Sequence, residues 1–175
     1  FWKLAGNTLL LGGGSVILCL ILAALLVYAR KILPRGFPRE LSRMAFLGYA
    51  VPGAVIALGV MQLTGWLDGI LTGKDKLLLS GSLFSLVYAY AIRYLPISQR
   101  PLSAVLEERF AHIDEVSRSL GRRPLVTLLQ VHLPNMTGIM AGAAILSFLD
   151  IVKQLPLTMI LRPFNFNTLA VRTYE

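Results

Sequence analysis

The chain is poor in the residues that soluble enzymes and secreted domains rely on. It has one cysteine in 175 residues, Cys19, which lies inside an apolar run and excludes a disulfide framework or a cysteine metal site. Its two histidines, His112 and His132, lack metal-ligand spacing, and neither falls in an apolar run. A membrane-embedded enzyme would need a nucleophile–base pair or a metal cluster. Ser15 and Ser82 lie near glycines, but no histidine accompanies them. Charge is scarce at 15%, against roughly 25% in soluble domains. Acidic residues are scarcest, 9 against 17 basic, for a net charge of +8. The first apolar run has no basic segment before it and is too long for a secretory signal.

What the chain does have is apolar length. Apolar residues make up 55% of it, and a bilayer crossing needs about 20 of them in a row. Four runs approach this: Thr8 to Ala29, Met44 to Trp66, Leu77 to Ile97, and the shorter Thr137 to Val152. The piece Leu155 to Leu161 is too short to span and reads as a re-entrant or interfacial element. The expected fold is all-α, a polytopic membrane helix bundle of about four spanning helices. Residues 1–175 read as a single transmembrane domain. The chain opens at Phe1 without Met and stops at Tyr174-Glu175 in mid-pattern, so it reads as part of a longer protein.

The basic excess could suggest nucleic acid, but its distribution argues for lipid. Arg30, Lys31, Arg35, Arg39 and Arg43 follow the first run. Arg100, Arg109, Arg118, Arg122 and Arg123 follow the third. After the second run, Lys74 and Lys76 are offset by Asp68 and Asp75. This alternation puts the first and third loops in the cytoplasm and the segment after Val152 on the outer side. Within the runs, Gly138 and Gly142, and Ala50 and Ala54, have helix-contact spacing. Pro52-Gly53 predicts a bend in the second helix, of the kind that borders substrate paths. Arg93 and Asp150 lie near span ends, where snorkelling or a local Asp150–Lys153 pair would satisfy them. Tyr88, Tyr90 and Tyr94 crowd the third run without an evident role.

Residues 101–134 form an ordered polar island between the third and fourth runs. Leu102, Val105, Leu106 and Phe110 predict an amphipathic helix from Pro101 to Phe110. Asp114 reads as the N-cap of a very short helix, with Glu115 at its positive end. Val116 and Leu120 share a face, and Gly121 is placed to end the helix in a left-handed conformation. Pro124 opens a next helix to Leu133, and Pro134 marks the entry to the fourth run. A helix this short is marginal alone, so a partner that clasps it would supply the missing packing.

Glu115-Val116-Ser117, Gly121 after three intervening residues, and Val131-His132-Leu133-Pro134 resemble the "EAA" loop of binding-protein-dependent ABC transporter permeases. Val116 and Ser117 stand where the family has two alanines. Asn7-Thr8 is similar to the pair opening the family's first core helix, and Tyr49-Ala50-Val51-Pro52-Gly53 resembles its Pro-Gly helix. Lys153-Gln154-Leu155-Pro156, followed by Leu161-Arg162-Pro163-Phe164 and Asn165 to Ala170, resembles the ferric-iron branch, which often has Glu where this chain has Gln154. Thiamine, polyamine and phosphonate permeases share part of this tail.

The resemblance implies an ATP-driven importer of the bacterial inner membrane. A cytoplasmic ATPase dimer, carrying the ATP and Mg, would grip the 101–134 loop. A second permease half, fused or separate, would complete the path, and an extracytoplasmic solute-binding protein would deliver substrate. The chain itself would bind no cofactor or metal and catalyse no reaction. Glu115, Val116, Ser117, Leu120, Gly121 and Pro134 would couple to the ATPase. Pro52, Gly53, Asp150 and Arg162 are candidates for the substrate path. A secondary transporter or channel half would instead need charged coupling sites at mid-membrane, which these runs almost entirely lack.

Overall fold

The computed structural model describes residues 1–33, 36–72, 78–108, 110 and 112–174, and every regular element among them is helical. Arg35, Lys74, Asp75, Lys76, Leu77, Arg109 and Glu175, named above, lie outside the described residues. The architecture is the all-α membrane helix bundle that the apolar runs predict. The order is α1 (Trp2–Ile32), α2 (Phe37–Ala50), α3 (Gly53–Thr72), α4 (Leu83–Glu108), α5 (Ile113–Ser119), α6 (Pro124–Thr127), a π-helical turn (Leu128–His132), α7 (Leu133–Asn135), α8 (Thr137–Val152), α9 (Pro156–Leu161) and α10 (Leu169–Tyr174).

Among the described residues, two helices are long and apolar enough to cross a membrane: α1 and Gly53–Leu71 of α3. A third candidate is the pair Pro124–Asn135 and Thr137–Val152, bent by 76° at Met136. The count is therefore two, or three with the bent pair, where the apolar runs predict about four. Helix α4 has the length, about 39 Å at 1.5 Å per residue, but Arg93, Gln99 and Arg100 interrupt its apolar character.

α4 sits at the centre, packed by α1, α2 and α8. Alanines at the contacts, Ala23, Ala57, Ala89 and Ala143, are almost fully buried and let the backbones approach. Where lipid replaces water, that close approach takes over from the hydrophobic drive. Gly12 serves the same end in α1, since a Cβ there would come to 2.7 Å from the Phe148 ring of α8. The buried Ser98–Ser147 hydroxyl pair, 3.1 Å apart, joins α4 to α8. Gly138 and Gly142 are exposed, with nothing of this chain near an added Cβ, so they do not pack against its other helices.

Three expectations change. The run Met44 to Trp66 is two helices rather than one bent span. Val51 is extended (ψ 135°) before Pro52, because a residue preceding proline is pushed out of the helical region. Ala50 and Ala54 thus lie on different helices. The third run, from Leu83, and the expected helix after Pro101 are one continuous α4 that ends at Glu108, short of Phe110, with Pro96 and Pro101 inside it. Proline removes a helical donor at each point. At Pro96 the orphaned acceptor is the Ile92 carbonyl, and Gly48 of α2 packs so closely on it that a Cβ would collide. That close Cα–H approach is a weak substitute for the lost bond. Lastly, the helix opened by Pro124 does not stop at Leu133. It runs through the π-helical turn to Asn135, and the break before the fourth run falls at Met136, two residues past Pro134.

Candidate functional site

The protrusion at residues 112–135 is built by local rules. Helix α5 ends in a paired C-terminal cap: Gly121 N–H donates to the Arg118 carbonyl (2.9 Å) and Arg122 N–H to that of Ser117 (3.1 Å). The cap needs a left-handed residue, and Gly121 supplies it at φ +71°. Pro124 then sits in the first turn of α6. Ser117 turns inward, its hydroxyl 2.5 Å from that of Thr127, and so ties α5 to α6.

Val116 and Leu120 remain outside. They are 60% and 73% exposed, and with His112, Ile113, Ser117, Arg122 and Val131 they line a groove of about 410 Å3. Leu125 and Leu129 on the next helical stretch are also exposed. Glu115 points into solvent, 3.8 Å from His112 Nδ1. Pro134 is exposed but does not line the groove. The structure thus gathers Val116, Ser117, Leu120 and Gly121 into one feature. Glu115 flanks it, and Pro134 stands off it.

Asp114 departs from the sequence reading. The N-cap of α5 is His112, and Asp114 lies inside the first turn, facing the protein. Its side chain is only 12% exposed. Tyr28 OH donates to Oδ1 at 3.1 Å, His132 Nε2 lies 2.9 Å from the same oxygen, and Lys31 Nζ is 2.5 Å from Oδ2. A buried carboxylate costs far more free energy unpaired than an exposed one, so these partners outcompete a cap position that water could serve. Burial pushes its pKa up, but the His132 hydrogen bond and the Lys31 ammonium outweigh that and hold it below the ordinary carboxylate range. His132 is fully buried, with its ring against Tyr28 and Phe110 at centroid distances of 5.4 and 5.1 Å. Sequence reasoning missed Tyr28, Lys31 and His132 as a group, because nothing in their spacing signals a contact across 86 or 104 positions.

The substrate-path candidates divide. Gly53 begins α3 against the Gln154 amide, which an added Cβ would strike. Tyr94 OH donates to Gln154 Oε1 at 2.9 Å and approaches the Asp150 carbonyl at 3.3 Å. Pro52-Gly53, Tyr94, Gln154 and the Asp150 backbone therefore converge. Arg93 donates to the Val51 carbonyl freed at the Pro52 break. Among the described residues no ion pair joins Asp150 to Lys153. Arg162 is held apart, bonded to Asn167 Oδ1 at 2.5 Å. Two of the three tyrosines without an evident role acquire one: Tyr90 OH pairs with Thr158 Oγ1, and with Tyr94 it fastens the α9 region to α4. Asn7 and Thr8 also bond the tail, to the Asn167 carbonyl and the Leu169 N–H, each at 3.0 Å. Among the described residues no three His, Cys, Asp or Glu side chains gather as a metal set.

Comparison with curated proteins sets these features in a family context. The chain is 30% identical, over all 175 residues, to "Fe(3+)-transport system permease protein FbpB 2" of Haemophilus influenzae. It is similar to a ferric-iron transport permease along its whole length. It spans about a third (33%) of that relative's length. No family model matches the chain. With its apolar helices, the chain is a multi-pass protein of the bacterial inner membrane.

Proposed function

We propose that this chain is a transmembrane permease part of an ATP-driven importer, and that α5 is the element its ATPase grips. The single observation that carries this is α5 itself. A two-turn helix, too short to persist alone, is held in place by an inward polar side, while Val116 and Leu120 face outward beside an open groove. Apolar side chains left exposed on a polar protrusion suit a partner that buries them. In this reading residues 101–134 face the cytoplasm and ATP and Mg reside on the partner. A second permease half and an extracytoplasmic binding protein complete the system. ATP-driven closure of the ATPase pair would draw two such protrusions together and rock the bundles between inward and outward access.

The substrate proposed is ferric iron, on the strength of the relative's name and of the tail from Asp150 to Ala170. The break at Pro52-Gly53, facing Tyr94 and Gln154, is the stretch we assign to the path. Val116→Asp with Leu120→Asp tests the docking. Both sites are exposed, so the variant should insert normally yet fail to retain the ATPase subunit and fail to transport. Retention of the ATPase at the wild-type level would overturn it. Purifying the cognate binding protein and analysing its metal tests the cargo: iron supports the proposal, and an organic ligand without iron removes it.

A further inference from the structure

Helix α5 has two sides, and only the outward one is used in the proposed docking. The inward side carries Asp114, bonded to Tyr28 and to His132, whose ring also packs on Tyr28 and Phe110. Its three polar partners come from two other elements. Tyr28 and Lys31 lie in the last turns of α1, and His132 closes the π-helical turn. Lys31 also donates to the Phe110 carbonyl at 2.5 Å, binding the connection just ahead of α5. The strongest main-chain packing of α5 is against α6. The link to α1 is therefore made by the reach of two long side chains, with Ile113 packed beside them.

Placement decides what such a link does. α1 is the longest apolar helix and packs along α4 and α8. A displacement of α5 that keeps the Asp114 bonds must take the end of α1 with it. If those bonds break, a carboxylate and a histidine are left buried without partners, a costly state. A neutral apolar contact at this place would let α5 slide. A charged, bidirectionally bonded contact resists sliding in a water-poor pocket, where its bonds are strongest.

We infer that Asp114 is a positioning residue that locks the docking helix α5 to α1 through Tyr28 and Lys31, and to the following helix through His132. Motion of α5 is thereby passed directly to a membrane-spanning helix. This rests on the docking role proposed for α5. It adds that α1 is the first spanning helix to move, and that the pocket transmits force without touching substrate or ATPase.

The test uses the assembled transporter in proteoliposomes with Asp114→Ala, and with Tyr28→Phe as a variant that loses only a hydroxyl. Three readouts are taken: co-purification of the ATPase subunit, the rate of ATP hydrolysis, and substrate moved per ATP hydrolysed. The ATPase should remain bound in both. Substrate per ATP should fall about three- to tenfold in Asp114→Ala, the size of change seen along a packed coupling network, and by less in Tyr28→Phe. Loss of transport in strict proportion to loss of folded protein, with substrate per ATP unchanged in both, would overturn the inference. An independent readout uses paired spin labels at exposed Arg118 on α5 and Leu25 on α1. Their separation should stay constant on ATP binding in the otherwise unaltered transporter and change in Asp114→Ala. A changing separation without the substitution would also overturn it. Failure of the unaltered chain to hold an ATPase at all is a different outcome, since it removes the docking proposal itself.

Discussion

Replacing Gly121 with alanine isolates one physical term. The added Cβ would meet nothing within 4 Å, so there is no clash to relieve and no contact to gain. What remains is backbone: at φ +71° an L-residue suffers the left-handed penalty, about 1–2 kcal/mol. At an ordinary helical glycine the same change has the opposite sign. Gly13 in α1 also has open space around it, and Gly13→Ala should stabilise its helix by about 0.8–1 kcal/mol. The penalty at 121 falls on the two cap bonds from Gly121 and Arg122. The direct assay is amide hydrogen exchange across residues 113–122 of the purified protein. With a tenfold change for each 1.36 kcal/mol, exchange in α5 should accelerate about five- to thirtyfold in Gly121→Ala. Unchanged or slower exchange would refute the reasoning, because it would mean that residue 121 does not sit in the left-handed region. The consequence for function is a looser docking helix with its outward face intact.

Other predictions follow from close contacts and buried charge. Gly48→Ala should destabilise the α2–α4 contact by about 1–3 kcal/mol, the cost of overpacking, because the new Cβ collides with the Ile92 carbonyl; a thermal midpoint at or above that of the unaltered protein would contradict it. Tyr90→Phe removes the bond to Thr158 and should cost about 0.5–1.5 kcal/mol, read as faster exchange in α9. The folded-state pKa of Asp114 is depressed. Its stabilising contribution is therefore fully present above the ordinary carboxylate pKa, about 3.9, and is lost as pH falls below it. The gap in unfolding midpoint between the unaltered protein and Asp114→Asn should therefore close as pH falls below about 4.

Much of this arrangement is legible from residue order, for local reasons. Gly121 in the left-handed region, Pro124 in a first turn and Val116 with Leu120 on one face all follow from interactions within a few residues. Composition alone announces the membrane. Helix boundaries are harder, because proline acts differently by context. At Pro52 the neighbouring Val51 yields and the helix breaks, with Arg93 accommodating the freed carbonyl. At Pro96 and Pro101, where α1, α2 and α8 pack on it, α4 stays continuous. The same competition explains Asp114. Locally it is a good N-cap, but Tyr28, Lys31 and His132 offer it three partners from distant positions, and no spacing rule foretells that meeting. Tyr90 and Tyr94 are opaque for the same reason until Thr158 and Gln154 are seen beside them.

The central claim is that an ATPase sits against the outward face of α5. A cysteine at Leu120 (Leu120→Cys), with buried Cys19 replaced by serine, gives a single reactive site on that face. The most direct measurement is crosslinking from this site in the native membrane with the transporter's ATPase subunit present. The account predicts a permease–ATPase adduct at Leu120→Cys whose yield changes when ATP is bound. It also predicts no adduct from a cysteine at exposed Leu10, near the opposite end of α1. Equal adduct from both sites, or none from Leu120→Cys while the complex remains assembled, would contradict it.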